Sequence, residues 1–162
     1  MVVNDEVKQL TKIVQKNPED FEAHKKLAEI ACYRNKEGLL CVPSKYLETA
    51  FAKAGTNFIL KGKKTYKDVM KGQIIVDPSM LPIDPQSYEI NYEYVRIMMA
   101  RILRARPEFL EGWKTTFIMK LLDDSLPLDK IREVVEYSGQ YVGIGDWRPK
   151  YGLFKVNSFE EV

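Results

Sequence analysis

Apolar residues recur at every third or fourth position in several segments, which is the spacing that places them on one face of an α-helix. Val7, Leu10 and Ile13 follow this spacing within residues 5–16. Pro18 and the acidic residues after it are typical of the first turn of a second helix. Together the two segments predict an N-terminal helical hairpin. The same spacing predicts helices over residues 18–33, 44–53 and 128–141, and a short helix that ends at residue 72.

Strands are predicted where apolar residues alternate with polar ones or form a short continuous run. The alternation is clearest where Trp113, Phe117 and Met119 fall on one face of a segment. Pro107 separates that segment from an earlier strand-like one, so the two segments predict a β-hairpin. The predicted strands cover residues 39–42, 57–60, 73–76, 95–106, 110–121 and 152–159, with a proline-containing loop over residues 80–86.

After the N-terminal helices, the predicted elements follow the order strand, helix, strand, strand, strand, helix, strand. Helices on one face of an antiparallel sheet form an α+β domain, and this order is compatible with a ferredoxin-like or RRM-like arrangement. A chain of 162 residues is typically one domain. We therefore predict a single domain over residues 1–162, with a helical hairpin in residues 1–35 and an RRM-like part in residues 38–162.

The composition is that of an ordinary folded protein, with 45% apolar and 30% charged residues. The net charge of +2, from 25 basic and 23 acidic residues, does not by itself indicate a nucleic-acid partner. Any such prediction must therefore depend on clustering of the basic residues. The chain has neither an apolar run of about 20 residues, as a membrane span needs, nor a signal-peptide pattern at its start. We expect a cytoplasmic protein without a membrane partner.

Few residues are available for metal binding or catalysis. His24 is the only histidine, and Cys32 and Cys41 are the only cysteines, so no zinc-binding pattern is present. We expect both thiols to be reduced and His24 to be a solvated helical residue. Asp123 and Asp124 are typical of a turn and a helix cap, and neither a P-loop nor a dinucleotide-binding glycine pattern occurs. The prediction is a protein that is not an enzyme and holds no cofactor or metal.

A glycine-rich segment over residues 141–156 gives the strongest indication of function. It contains three glycines, three cations and several aromatic residues between a predicted helix and a predicted strand. Glycines allow a backbone to approach another polymer closely, cations neutralise phosphate, and aromatic rings stack on bases. The candidate residues in this segment are Gly143, Gly145, Trp147, Arg148, Lys150, Tyr151 and Gly152.

Basic residues cluster in two further places. Arg104 and Arg106 belong to a group of four arginines in one predicted strand, and five lysines occur within residues 61–71. If these groups converge with the glycine-rich segment, they would follow a phosphate backbone. The alternative interpretations are that the alternating arginines form a solvated strand face and that Trp147 is a core residue beside its loop.

Three segments also carry a resemblance to known proteins: Leu40–Ala50, Arg104–Phe109 with Trp113, and Val142–Gly152. On these segments the chain resembles a family of uncharacterised phage and prophage proteins over about residues 7–159. More distantly, residues 42–44 and the glycine-rich segment are similar to features of the RAMP subunits of CRISPR effector complexes. That resemblance implies an RRM-like fold that contacts RNA or a single-stranded backbone through Gly143, Gly145, Arg148, Lys150 and Gly152.

Relatives in that phage family begin with a strand ahead of the helical hairpin that is missing here. We therefore expect an open sheet edge, which a strand from a partner or from a second copy of the chain would cover.

These observations lead to two hypotheses, with an enzyme third. The first is a non-enzymatic phage-type accessory protein that binds single-stranded RNA or DNA in the bacterial cytoplasm. The second is a protein-interaction module that inhibits or remodels a host complex, such as a CRISPR effector, by mimicking a RAMP subunit. The residues predicted to bind nucleic acid are Arg104, Arg106, Gly143, Gly145, Trp147, Arg148, Lys150, Tyr151 and Gly152.

Overall fold

The computed structural model describes residues 2–162, with side chains from Asp5 onward. These residues form an α+β fold of α-helices and short strand pairs. The helices are α1 (Val2–Lys16), α2 (Phe21–Ile30), α3 (Ser44–Gly55), α4 (Tyr66–Gly72) and α5 (Leu128–Tyr137), which continues into a π-helical turn (Ser138–Val142). The strands are β1 (Cys41–Pro43), β2 (Ile59–Lys61), β3 (Lys64–Thr65), β4 (Ile74–Asp77), β5 (Met80–Pro82), β6 (Glu89–Ile97), β7 (Ala100–Glu108) and β8 (Ile118–Leu121).

The strands pair two by two. β1 pairs with β5, and β2–β3, β4–β8 and β6–β7 are antiparallel pairs. An RRM-like or ferredoxin-like fold needs one sheet in which the inner strands have a partner on both sides. Each strand of the described chain has only one partner, so that predicted arrangement is not confirmed, although the α+β class is.

The chain divides into two compact units. Unit 1 comprises Met1–Cys41 and Pro82–Thr115, and unit 2 comprises Val42–Leu81 and Thr116–Val162. Each unit is therefore built from two separate stretches of the sequence. The predicted single domain, divided at residues 35–38, stays a prediction.

Unit 1 contains α1, α2 and the long β6–β7 hairpin. Successive residues of a strand face opposite sides, and Leu103 and Ala105 of β7 are buried on the side that α2 contacts. His24 is also buried, with an exposed fraction of 8%, and its Nε2 lies 2.9 Å from the carbonyl oxygen of Pro18. The prediction of a solvated histidine is therefore wrong, because His24 lies on the buried side of α2 with Ala28.

Unit 2 contains α3, the β2–β3 hairpin, α4, the β4–β8 pair and α5. Phe51 of α3, Met70 of α4, and Ile131 and Val134 of α5 form its core, each with an exposed fraction of 1% or less. On the β4–β8 pair, Ile74 and Val76 are buried, and Ile75 between them faces outward. This is the alternation expected of a strand pair with one buried face.

Several predicted boundaries are wrong. α3 begins at Ser44 but extends to Gly55 instead of ending at residue 53. The hairpin turn lies at Met98 and Met99 instead of Pro107–Phe109, which places Pro107 within β7. Residues 64–65, 80–82 and 89–94 form strand structure outside the predicted ranges, and the strand structure predicted at residues 110–117 and 152–159 is absent.

Candidate nucleic-acid interface

The glycine loop, Gly143–Gly152, lies in unit 2 and begins where the π-helical turn ends. A backbone hydrogen bond joins its two legs, from the Ile144 N–H to the Gly152 carbonyl over 2.9 Å. The Gly143 N–H donates to the Ser138 carbonyl over 2.8 Å and so connects the loop with the π-helical turn. Just outside the loop, the Phe154 N–H donates to the Gly139 carbonyl over 3.0 Å. The base of the loop is therefore fixed by its own backbone.

Two of the glycines serve this internal closure. Gly152 has a φ of 82°, and a Cβ at this position would lie 1.8 Å from the carbonyl oxygen of Ile144. A Cβ on Gly143 would lie 3.0 Å from the carbonyl oxygen of Gly152. At both positions the space that a side chain would fill is therefore occupied by the opposite leg, and contact of these glycines with another polymer stays a prediction. At Gly145, by contrast, a Cβ would have no other atom within 4 Å.

The tip of the loop presents a pair of aromatic rings. The Tyr151 N–H donates to the Trp147 carbonyl over 2.9 Å, which closes a turn, and the ring centroids of these residues lie 5.9 Å apart at an interplanar angle of 31°. Both side chains are half-buried. Trp147 is therefore not a core residue, and its indole is available on a surface loop.

Two cations lie beside the ring pair. The Arg148 guanidinium donates to the Gly145 carbonyl over 3.0 Å, and the Lys150 ammonium lies 5.1 Å from the centroid of the Tyr151 ring. Both residues are exposed, as is Asp146, the acidic residue of the loop. Cations beside aromatic rings suit the binding of a nucleic acid, because the cations neutralise phosphates and the rings stack on bases.

Arg104 and Arg106 lie on β7 in unit 1, whereas the glycine loop lies in unit 2, so the structure does not establish one joint surface. The register places Arg104 opposite Glu93 and Arg106 opposite Asn91, and Glu108 lies on the same face of the hairpin. Directly opposed charges of opposite sign stabilise a strand pair. These arginines, both half-buried, therefore belong to a mixed-charge face of the hairpin.

The β2–β3 hairpin brings together lysines that the sequence showed as a cluster but that were not assigned to the site. Lys61 pairs with Lys64 across the hairpin, and Lys63 lies in the turn between them. All three are exposed. In the sequence these lysines are visible as a run around Gly62. Only the strand pairing shows that they lie on one short β-hairpin.

The cations of α5 are arranged differently. Lys130 and Glu133 form an ion pair of 2.7 Å, and Arg132 and Glu136 form one of 2.9 Å. Such pairs, three or four residues apart on a helix, neutralise each other locally. The cations of α5 therefore add little to a phosphate-binding surface.

The surroundings of both cysteines disfavour the thiolate form. Burial raises the pKa of the Cys32 thiol and that of the Cys41 thiol above their ordinary value of 9.0. A raised pKa keeps a thiol protonated near neutral pH, and the thiolate is the reactive form. Both are free thiols in the structure.

Asp123 belongs to a turn, as predicted. The N–H and the hydroxyl of Ser125 both donate to its Oδ1, at 2.9 and 2.6 Å, and these hydrogen bonds lower the pKa of the Asp123 carboxyl. Across the described residues, no group of three or more His, Cys, Asp or Glu side chains is placed to hold a metal ion. None of the helices in residues 2–162 is both long and apolar enough to span a membrane.

Comparison with known proteins gives no match among family models, curated proteins or solved structures.

Proposed function

We propose that this protein binds single-stranded nucleic acid through the tip of the glycine loop. The observation that carries the proposal is the Trp147–Tyr151 ring pair, which lies on an exposed turn beside Arg148 and Lys150. Bases of any sequence can stack on an aromatic face, and cations beside that face neutralise the phosphates. The activity is binding without catalysis, and it does not discriminate strongly between sequences.

The closed base of the loop supports this proposal. The hydrogen bond between its two legs and the one from Tyr151 to Trp147 at the tip hold the tip in one conformation before a ligand arrives. A binding loop that is already ordered loses less conformational entropy when it binds. The glycines at positions 143 and 152 thus contribute to binding by positioning the rings rather than by touching the strand.

Neither an RRM-like arrangement nor membership of the phage family is needed for this function. Both stay proposals, as does a phage-type accessory role in the bacterial cytoplasm. The site is narrower than the sequence predicted, because Arg104 and Arg106 are left out of it. Their mixed-charge face gives no reason to place a phosphate backbone there.

The test is the affinity of the full chain for a fluorescent single strand of about 20 nucleotides, measured by anisotropy with Trp147→Ala. Loss of one stacking residue should weaken binding by about 1–3 kcal/mol, or roughly 5–150-fold. Trp113→Ala is the matched control, because Trp113 is the other tryptophan and lies in unit 1. Binding by Trp147→Ala that equals the wild type would refute the proposed site.

A specific observation favours the second candidate, a protein-interaction module. The methionine tip, Met98 and Met99 at the turn of the β6–β7 hairpin, has exposed fractions of 93% and 92%. Met98 also has a φ of 54°, a conformation that residues other than glycine rarely adopt. Exposed apolar groups are typical of protein–protein contacts, and methionine adapts to irregular partner surfaces.

Photo-crosslinking in the bacterial cytoplasm tests this candidate. A crosslinking residue at position 99 should capture one defined host protein, and a Met98→Gln variant should weaken that capture. The control is the same crosslinker at Lys12, an exposed position on α1. Equal capture from both positions would contradict a role for the methionine tip.

A further inference from the structure

The β2–β3 hairpin is a second place in unit 2 where the structure gathers positive charge. Residues 59–71 contain five lysines and one acidic residue, Asp68. We propose that this hairpin is a phosphate-binding element that contacts the backbone of the same nucleic acid. The inference rests on the nucleic-acid binding proposed above, but it does not depend on the glycine loop.

The hairpin is a defined structural element. Ile59 pairs with Thr65 and Lys61 pairs with Lys64, and Gly62 at the turn has a φ of 58°. The Tyr66 N–H donates to the Phe58 carbonyl over 2.9 Å at the base of the hairpin. Tyr66 is itself buried, with an exposed fraction of 4%, so the lysines project from a base that is anchored in unit 2.

Acidic side chains of the described residues do not form ion pairs with the lysines of the hairpin strands and turn. Among residues 5–162, Lys61, Lys63 and Lys64 form no ion pair with an acidic side chain. Elsewhere in unit 2, Lys120 lies 2.9 Å from Asp77, and the cations of α5 are paired in the same way. Like charges held together without partners repel one another, and a bound polyanion relieves that repulsion. A phosphate backbone outside the chain would supply the negative charge that these lysines lack.

Aromatic contacts connect this hairpin with the start of the glycine loop. The ring of Phe58, which directly precedes β2, meets the ring of Tyr137 edge-on with centroids 5.5 Å apart. Tyr137 in turn packs against Tyr141, at 4.7 Å, within the π-helical turn that leads into Gly143. The hairpin and the loop are thus attached to one aromatic cluster. A strand that contacts both elements binds more tightly than either element alone allows, because the second contact is intramolecular.

The salt dependence of binding tests this proposal. For single strands, the slope of log K against log salt is about −0.7 for each phosphate contact. The triple variant Lys61→Gln, Lys63→Gln, Lys64→Gln should therefore reduce the slope by about 2 and weaken binding at low salt. Lys8→Gln, Lys12→Gln, Lys16→Gln on α1 is the matched control, since it removes the same charge from exposed lysines of unit 1. An equal slope in the wild type and the hairpin variant would overturn the proposal.

A base-free probe separates the two proposals. An oligomer of abasic deoxyribose phosphate offers phosphates without bases, so it should bind the wild type and Trp147→Ala equally and the hairpin variant more weakly. If Trp147→Ala has no effect on the ordinary strand but the hairpin variant does, the loop proposal fails and the hairpin proposal stands. If the ordinary strand depends on Trp147 but not on the lysines, the hairpin proposal fails alone. If neither the ordinary strand nor the abasic oligomer binds, both proposals are overturned.

Discussion

At the scale of single residues, Gly152 shows how the backbone positions the candidate site. Its φ of 82° is unfavourable for any residue with a Cβ, and the carbonyl oxygen of Ile144 fills the place where that Cβ would be. The Ile144 N–H donates to the carbonyl of Gly152, so the two residues meet closely. The conformation of the whole tip therefore depends on a hydrogen atom at this one position.

We predict that Gly152→Ala destabilises the protein more than Gly145→Ala does. Both glycines have positive φ, which costs an alanine about 1–2 kcal/mol. Only at Gly152 is an overlap with the opposite leg added, for a further 1–3 kcal/mol or so. Urea denaturation of the two variants measures the difference in the free energy of unfolding. Equal destabilisation would show that the two legs do not approach as closely as in the structure.

At the scale of elements, the β6–β7 hairpin has two unlike faces. The face with Leu103 and Ala105 is buried, and α2 contacts β7. The opposite face carries Arg104 and Arg106 with their acidic neighbours. The hairpin therefore gains its stability from burial of one face, and the half-buried arginines lie on the opposite face as a consequence of strand alternation.

Shortening the side chains of two adjacent β7 residues tests whether one face of the hairpin is buried and the other is not. Leu103→Ala should lower the free energy of unfolding by about 2–5 kcal/mol, because Leu103 is 2% exposed and leaves a cavity. Ile102→Ala, on the other face and 36% exposed, should cost only about 1 kcal/mol. Chemical denaturation of both variants provides the measurement. A larger loss for Ile102→Ala would mean that the faces are assigned the wrong way round.

A hydrogen bond from β6 to the segment before α2 makes the free energy of unfolding depend on pH in the alkaline range. The Tyr94 hydroxyl donates to the Glu19 carboxylate, and this bond raises the pKa of Tyr94 above its ordinary value of 10.0. A phenol with a raised pKa binds its proton more tightly in the folded state. Its stabilising contribution is therefore complete below the unfolded pKa and is lost as pH rises through the folded pKa.

Tyr94→Phe should remove this part of the alkaline loss of stability. The difference in urea midpoint between the wild type and Tyr94→Phe should shrink as pH rises above about 10, the ordinary tyrosine pKa. Tyr92→Phe is the control, because it leaves the bond between Tyr94 and Glu19 in place. A constant difference across this pH range would contradict the proposed linkage.

The helices could be predicted from the sequence, whereas the longest hairpin could not. Ile131, Val134 and Val135 recur at helical spacing and are all buried in α5, because a local pattern specifies a helix face. Met98 and Met99 form a tight turn although neither is a typical turn residue. Pro107 gives the opposite signal and yet lies inside β7. The turn therefore contains none of the residue types that mark a turn, so the sequence does not show where the two strands of this hairpin meet.

Only part of the candidate site could be predicted, because residue types are visible in the sequence and tertiary contacts are not. The cations and rings at positions 147–151 could be recognised from their residue types alone. That Gly143 and Gly152 face each other depends on the closure of the loop, which residue types do not reveal. The exclusion of Arg104 and Arg106 likewise depends on the register that places Glu93 and Glu108 on their face.

At the scale of the whole molecule, the excess positive charge lies in one unit. Unit 1 contains twelve basic and twelve acidic residues, whereas unit 2 contains thirteen basic and eleven acidic residues. The net charge of +2 therefore belongs to unit 2, which holds both the glycine loop and the β2–β3 hairpin. A polyanion should approach this unit first, because long-range attraction follows the distribution of charge.

Titration of the labelled protein with a single strand should therefore shift backbone amide resonances in residues 59–71 and 143–153 and leave those of β6 and β7 unchanged. The physical reason is that the proposed phosphate-binding cations lie in these two segments, whereas Arg104 of β7 faces Glu93 across the hairpin and Glu108 lies on the same face. Two-dimensional NMR at low and moderate salt provides the map. Shifts confined to Arg104, Arg106 and their neighbours would instead restore the arginine strand as the binding surface, and they would show that local charge balance does not decide where the strand lies.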